Sequence, residues 1–175
     1  MADLTFNTVA GSVVERKLLI LYLNAGTSQA PAWSPIGKRV EDSSMEYDWG
    51  EETKTDIFGE VYTTMKKPTL TQTFDPCELD AGDVAQVKIW NMAIRDQDVA
   101  TMTNNDLLVV HAYAGTAKTA VFAERWSSCM IKPSGLGGSA NVGMPIDVTF
   151  GGTRTLGTAA VSNGTVTFTE GEASE

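Results

Sequence analysis

Residues 43–60 read SSMEYDWGEETKTDIFGE and hold six carboxylates, Glu46, Asp48, Glu51, Glu52, Asp56 and Glu60, against a single ammonium, Lys54. Carboxylates this dense suggest two chemistries. One is a divalent cation site, and the other is an acid–base pair across a glycosidic bond. A calcium loop sets oxygen ligands on alternate positions around a glycine bend, and that spacing is absent. A glycosidic pair comes with an aromatic-lined pocket, whereas Trp33, Trp49, Trp90 and Trp126 are scattered along the chain.

Other segments invite the same test. GLGGSANVG at 135–143 has the glycines of a phosphate loop, but Pro145 and an alternating strand follow it. A phosphate loop needs the N-terminus of a helix there, so this reads as a plain loop. GTAKT at 115–119 has a Lys-Thr pair without the second glycine before the lysine. His111 sits in an apolar run with no acidic neighbour in sequence, which fits a structural histidine. Cys77 and Cys129 form no CxxC or His/Cys cluster and read as reduced, buried thiols. Asn163-Gly164-Thr165 fits a glycosylation acceptor, but without a secretory signal it reads as a hairpin turn. No catalytic, cofactor-binding or metal site emerges, and the expectation is a protein that is not an enzyme and carries no cofactor.

Composition narrows the class. With 175 residues, 42% of them hydrophobic, the chain suits one domain with a substantial core. Its net charge of -9 disfavours gripping nucleic acid by its phosphates, which takes a basic patch. The apolar run LLILYL at 18–23 is far shorter than the roughly 20 residues of a membrane span. It also lies too far in for a typical signal peptide. The expectation is a protein neither exported by a cleaved signal nor embedded in a membrane.

The elements that must position any site are mostly strands. KLLILYLN (17–24) and LLVVHAYA (107–114) read as buried strands. AGTSQAPAW (25–33) reads as a loop. Residues 36–74 read as one long polar-faced hairpin, in which Phe58-Gly59-Glu60 is the turn and Pro68 marks an edge or bulge. Residues 80–96 form the helix: Val84, Val87, Trp90 or Asn91, and Ile94 recur at helical spacing, with Asp80 as its N-cap. Residues 96–106 read as a loop. TAVFAERWSSCMI (119–131), MPIDVTFGG (144–152), TLGTAAV (155–161) and TVTFT (165–169) supply the remaining strands. Asn163-Gly164 favours a type I′ turn between the last two. Residues 1–16 are an N-terminal arm and 170–175 an acidic tail.

The order of these phrases carries a resemblance. WSPIG at 33–37 precedes the hairpin, which ends in TFDP at 73–76. After the helix come LLVVHAYAG, VFAERWSSCMIKPSGLGG and MPIDVTFGGTRTLGTAAVSNGTVTFTEG. Over about residues 15–170 this resembles the major tail (tail tube) protein of long-tailed bacteriophages, of the kind found in phages and prophages of Gram-positive bacteria. The resemblance implies a mainly β fold, a β-sandwich or partly open barrel with one flanking helix and a long extended hairpin. It implies a virion structural protein that self-assembles into hexameric rings in the host bacterial cytoplasm. The rings stack into a tube, with tape measure and tail tip or terminator proteins as assembly partners. DNA passes through the lumen without specific binding during ejection.

Charge fits that expectation. Exposed strand edges are a liability in a monomer, whereas a closed ring uses them as joining surfaces. Carboxylates on a channel wall keep a polyanion off it, within a screening length of about 8 Å at physiological salt. Glu46, Asp48, Glu52, Lys54 and Asp56 are therefore the expected lumen-facing residues. Met45, Tyr47 and Trp49 are expected to pack against the subunit's own core or a neighbour. A one-residue slip exchanges the two faces, so the inward face stays open at this point. The same fold serves tubes of contractile injection systems and type VI secretion, and a carbohydrate-binding sandwich is a further alternative.

Overall fold

The computed structural model describes residues 4–162 and 164–171. The expected turn at Asn163 and the end of the acidic tail lie outside them. The strands are β1 (Leu19–Asn24), β2 (Trp33–Ile36), β3 (Met45–Asp48), β4 (Glu52–Thr55), β5 (Val61–Thr64), β6 (Thr69–Phe74), β7 (Asn105–Thr116), β8 (Ala120–Pro133), β9 (Ile146–Thr149), β10 (Arg154–Ser162) and β11 (Thr165–Glu170). Helix α1 (Val84–Trp90) runs on through one π turn, Asn91–Arg95, and α2 (Val99–Met102) follows it. The protein is mainly β, and the pairings are antiparallel.

One layer has the order β2–β1–β7–β8–β10–β11 and the other the order β8–β9–β6–β3. Strand β8 serves both. Its residues up to Trp126 pair with β7 and β10, Cys129 pairs once more with Asn105 of β7 across a bulge, and Met130 to Pro133 pair with β9. The switch falls at Ser128, which has φ of 55°. The first layer curls until β11 approaches β2, giving a partly open barrel.

This arrangement explains the unbroken apolar runs. Leu21, Leu23, Leu107 and Val109 face one core, shared with Leu70, Phe74, Ile131, Ile146 and Val148 of the second layer and with Ala85, Ile89 and Met92 of the helical segment. Tyr22, Leu108, Val110, Val121, Ala123, Ala159 and Val166 face a second core inside the curl. A strand buried on both faces has no polar alternation to show.

Several expectations need correction. The hairpin starts at Met45, not Ile36. Ile36 ends β2 opposite Leu21, so the WSPIG phrase is an edge strand and not a loop end. Pro35 fits there because β2 pairs on one side only. Pro68 lies between β5 and β6, outside both ladders. The N-cap of α1 is Asp83, whose Oδ1 accepts the Gln86 N–H at 3.0 Å; Asp80 instead holds Lys38 and Arg39. The buried face of the helix is out of phase with the valine pattern. Ala85, Gln86, Ile89 and Met92 face inward, while Val84 and Val87 are exposed. Buried Gln86 is tolerated because its amide bonds the backbone at Lys38, Glu78 and Asp80. Residues 96–106 are not a loop, since Asp98 caps α2 through the Thr101 N–H at 3.1 Å and β7 begins at Asn105.

Cys77 and Cys129 are free, buried thiols. Burial pushes both up to about 11. The helix phase gives a direct stability test. Ile89→Ala should cost about 2–5 kcal/mol in denaturant unfolding, while Val84→Ala should stay within roughly 0.5 kcal/mol. Equal effects would contradict the phase.

Candidate functional site

The hairpin is built from two stacked ladders. Strands β3 and β6 form the inner one, with Glu46 opposite Thr71 and Asp48 opposite Thr69. Strands β4 and β5 form the outer one, with Glu52 opposite Thr64 and Lys54 opposite Tyr62. Residues 49–51 link them on the way out and 65–68 on the way back, so the register shifts by one residue between ladders. A single backbone hydrogen bond spans the joint among the described residues, from Lys66 N–H to the Trp49 carbonyl at 3.0 Å. Asp48 shapes the joint: its Oδ1 accepts the Gly50 N–H at 2.9 Å, and Gly50 has φ of 51°.

Asp56 closes the tip. Its Oδ1 accepts N–H bonds from Phe58 at 2.8 Å and Glu60 at 2.9 Å. Its own N–H donates to the Glu60 carbonyl, and Gly59 supplies the positive φ of 82° that the turn requires. Asp48 and Asp56 therefore each have a local structural job besides their charge. Glu52 and Lys54 pair with each other at 2.7 Å on the exposed surface.

The structure places Glu46 and Asp48 on one polar face of the second layer. That face continues through Thr69, Thr71 and Thr73 to Asp147 on β9 and Lys132 on β8, which pair at 3.7 Å. Glu52 and Lys54 share a face of the outer ladder, beyond the shifted joint. On the other face of β3, Met45 packs against the core. Tyr47 and Trp49 stack on each other with centroids 6.2 Å apart and are only partly covered. At the tip, Ile57 is 94% and Phe58 84% exposed; Val61, Tyr62 and Met65 beside them are also exposed.

A buried polar cluster lies under this hairpin, built from residues that no local pattern groups together. Glu124 of β8 is buried and accepts from His111 Nε2 at 3.0 Å, Arg154 Nε at 2.6 Å and Trp126 Nε1 at 3.3 Å. Burial raises the Glu124 pKa, but the hydrogen bonds and charges of His111 and Arg154 outweigh it and hold it at about 2. An ionised carboxylate only accepts, so His111 donates to it through Nε2, and the other ring nitrogen, Nδ1, lies 2.8 Å from the Tyr113 hydroxyl. The cluster joins β7, β8 and β10. Its charge reaches the hairpin base, where burial and then Glu124 raise the Tyr47 phenol. The acidic partner of His111 sits 13 residues away and is brought close only by strand pairing.

A groove of about 820 Å3 lies between α1 and the glycine-rich loop, lined by Leu79, Val87, Trp90, Leu136 and Val142, with Asp80 and Arg39 at its edge. The loop folds back through paired bonds between Gly137 and Gly143 and leads into β9. Among the described residues no group of three His, Cys, Asp or Glu side chains is placed to hold a metal ion. No helix among them is long and apolar enough to cross a membrane.

No family model matches this chain, and no curated protein matches it. Solved structures do. One is a chain of the sheath–tube complex of an extracellular contractile injection system (PVC) in the extended state. It is 10% identical with a TM-score of 0.49, covering 84% of this chain and 93% of that one. The sheath/tube terminator of the same system is 10% identical with a TM-score of 0.49, covering 85% and 99%. The tube-terminating cap of the anti-feeding prophage (AFP) is 15% identical with a TM-score of 0.46, covering 87% and 96%. At these identities and TM-scores, none of the three fixes a function for this chain.

The Glu124 cluster predicts an acid-sensitive fold. Its folded pKa is depressed, so its contribution is full above the ordinary carboxylate value of 4.5 and is lost as pH falls toward about 2. That contribution is roughly 3 kcal/mol. Glu124→Gln should lose about that much at pH 7, and the gap to the parent in urea unfolding should close between pH 4.5 and 2. A gap that does not change over that range would remove the carboxylate from the account.

Proposed function

We propose that the chain is the structural subunit of a phage tail tube, assembling as hexameric rings that stack into a hollow conduit for DNA. The observation that supports this reading is the projecting hairpin. Its outer ladder is exposed along both strands, and its tip holds Ile57 and Phe58 almost wholly in water. Covering each would gain about 1.5–3 kcal/mol. Both strands of the outer ladder, and β3 in the inner one, have open edges for a neighbour's strand.

On this reading Glu46, Asp48, Glu52, Lys54 and Asp56 contribute to the lumen or its rim, and Tyr47, Trp49 and the tip meet neighbouring subunits. The subunit has no catalytic role and no cofactor. Tape measure and tail tip or terminator proteins are its assembly partners, in the bacterial cytoplasm and then in the virion. A second reading keeps the hairpin and changes the cargo: the tube or tube-capping subunit of a contractile injection system, of the kind compared above. A neighbouring sheath gene would favour that reading.

Two outcomes are expected. In electron micrographs of concentrated protein the parent should form rings or tubes. Ile57→Glu with Phe58→Glu should leave a folded monomer that forms neither; undiminished tubes would overturn the tip's role. Tubes carrying Glu46→Lys and Glu52→Lys should retain duplex DNA that salt releases, because each new phosphate contact steepens the salt dependence by about one unit of log–log slope. No added retention would take these residues off the lumen.

A further inference from the structure

The first layer contains a strand slot filled by the N-terminal arm. Strand β1 starts at Leu19 opposite His111, so the side of β7 beyond His111 has no β1 partner. There β7 also shifts register against β8, between His111 and Gly115. Gly115 permits this with φ of 92°; a Cβ there would meet the Ala120 carbonyl at 2.6 Å. Residues 5–7 lie in the gap, extended and joined to β7 by a single antiparallel bridge of Phe6 with Ala114. Asn7 N–H donates to the Tyr113 carbonyl at 2.8 Å, and Gly115 N–H donates to the Thr5 carbonyl at 2.9 Å. The Asn7 amide adds bonds to the Ala112 and Gly115 carbonyls, and Phe6 meets Tyr113 edge-on at 5.2 Å.

Residues 8–18 then leave the sheet and return to β1. They carry Val9 at 77% and Val13 at 91% exposed, and Phe6 in the slot is itself mostly exposed. The arm thus contributes a precise set of backbone bonds at one end and an apolar linker that its own subunit leaves in water.

Resting on the tube reading above, we infer that in the assembly this slot is filled by the arm of a second copy, an exchange of identical strands between neighbouring subunits. The slot bonds are the same in the closed and exchanged forms, so they cancel between them, as in domain swapping. The balance is set by what the linker buries, and the exchanged form lays Val9 and Val13 between subunits. Geometry permits it. Residues 8–15, ahead of the 3-10 turn Arg16–Leu18 that Arg16 ties to the Ser43 and Leu19 carbonyls, span at most about 29 Å when extended, close to twice the radius of gyration of about 16 Å expected for a chain of this length.

Phe6 and Ala114 form a non-hydrogen-bonded antiparallel pair, whose Cα spacing of about 4.5 Å suits a disulfide. Cys77 and Cys129 are buried with raised pKa values, so they give little background. The test mixes two single variants, Phe6→Cys and Ala114→Cys, under assembling conditions, oxidises them and reads covalent dimers on a non-reducing gel. Dimers that appear in assembled material and not in dilute monomer are expected. The double variant, which should close within one chain when dilute, verifies that the slot is intact. Tubes in micrographs with no covalent dimer would overturn the exchange and leave the tube reading standing. Absence of any rings or tubes would overturn the tube reading and the exchange with it. As a second variant, a chain lacking residues 1–14 should fold but not assemble; tubes formed at the parent's concentration would also overturn the exchange.

Discussion

Both layers depend on β8. Its first part is a central strand of the curled layer and its last residues are an edge of the second, so the two sheets cannot be displaced without bending one continuous ladder. The bend falls at Ser128, and the buried carboxylate of Glu124 lies just before it. Three donors from β7, β8 and β10 converge on that carboxylate. Parting any of these strands from the carboxylate would leave a buried charge short of a partner, which costs several kcal/mol.

The layers in turn explain where the chain is bare. Core residues of β6 and β9 hold the base of the hairpin, through Leu70, Phe74, Ile146 and Val148. Beyond Asp48 the two outer strands are exposed at every position. A two-stranded ladder of this kind is marginal alone in water. Its tip is apolar and its edges are open, and both call for a partner. The N-terminal arm shows the same economy, with a bonded strand at one end and uncovered valines in the linker.

Much of the fold was legible where burial writes a pattern. The apolar runs at 17–24 and 107–114, the alternation of Ile146, Val148 and Phe150, and the turn at Gly59 all follow from local chemistry. The helix phase was misread because two apolar stripes one residue apart compete, and packing chose Ala85 and Ile89 over Val84 and Val87. The hairpin's start was misread because Ile36 belongs to the opposite end of the sheet, a pairing that no local signal encodes. In the hairpin, the acidic positions were visible, but the second duty of Asp48 and Asp56 as turn-formers depends on backbone geometry. The Glu124 cluster was invisible because His111, Glu124 and Arg154 are neighbours only after β7, β8 and β10 align.

The joint between the two hairpin ladders has a mechanical meaning. Continuous ladders transmit bending along many hydrogen bonds, but here one backbone bond, a glycine and a shifted register separate a stiff root from an outer leaf. The root is clamped in the core, so strain applied at the tip concentrates at residues 49–51 and 65–68. The molecule carries a built-in flexure, and a load on the leaf can tilt it while the two cores stay undeformed.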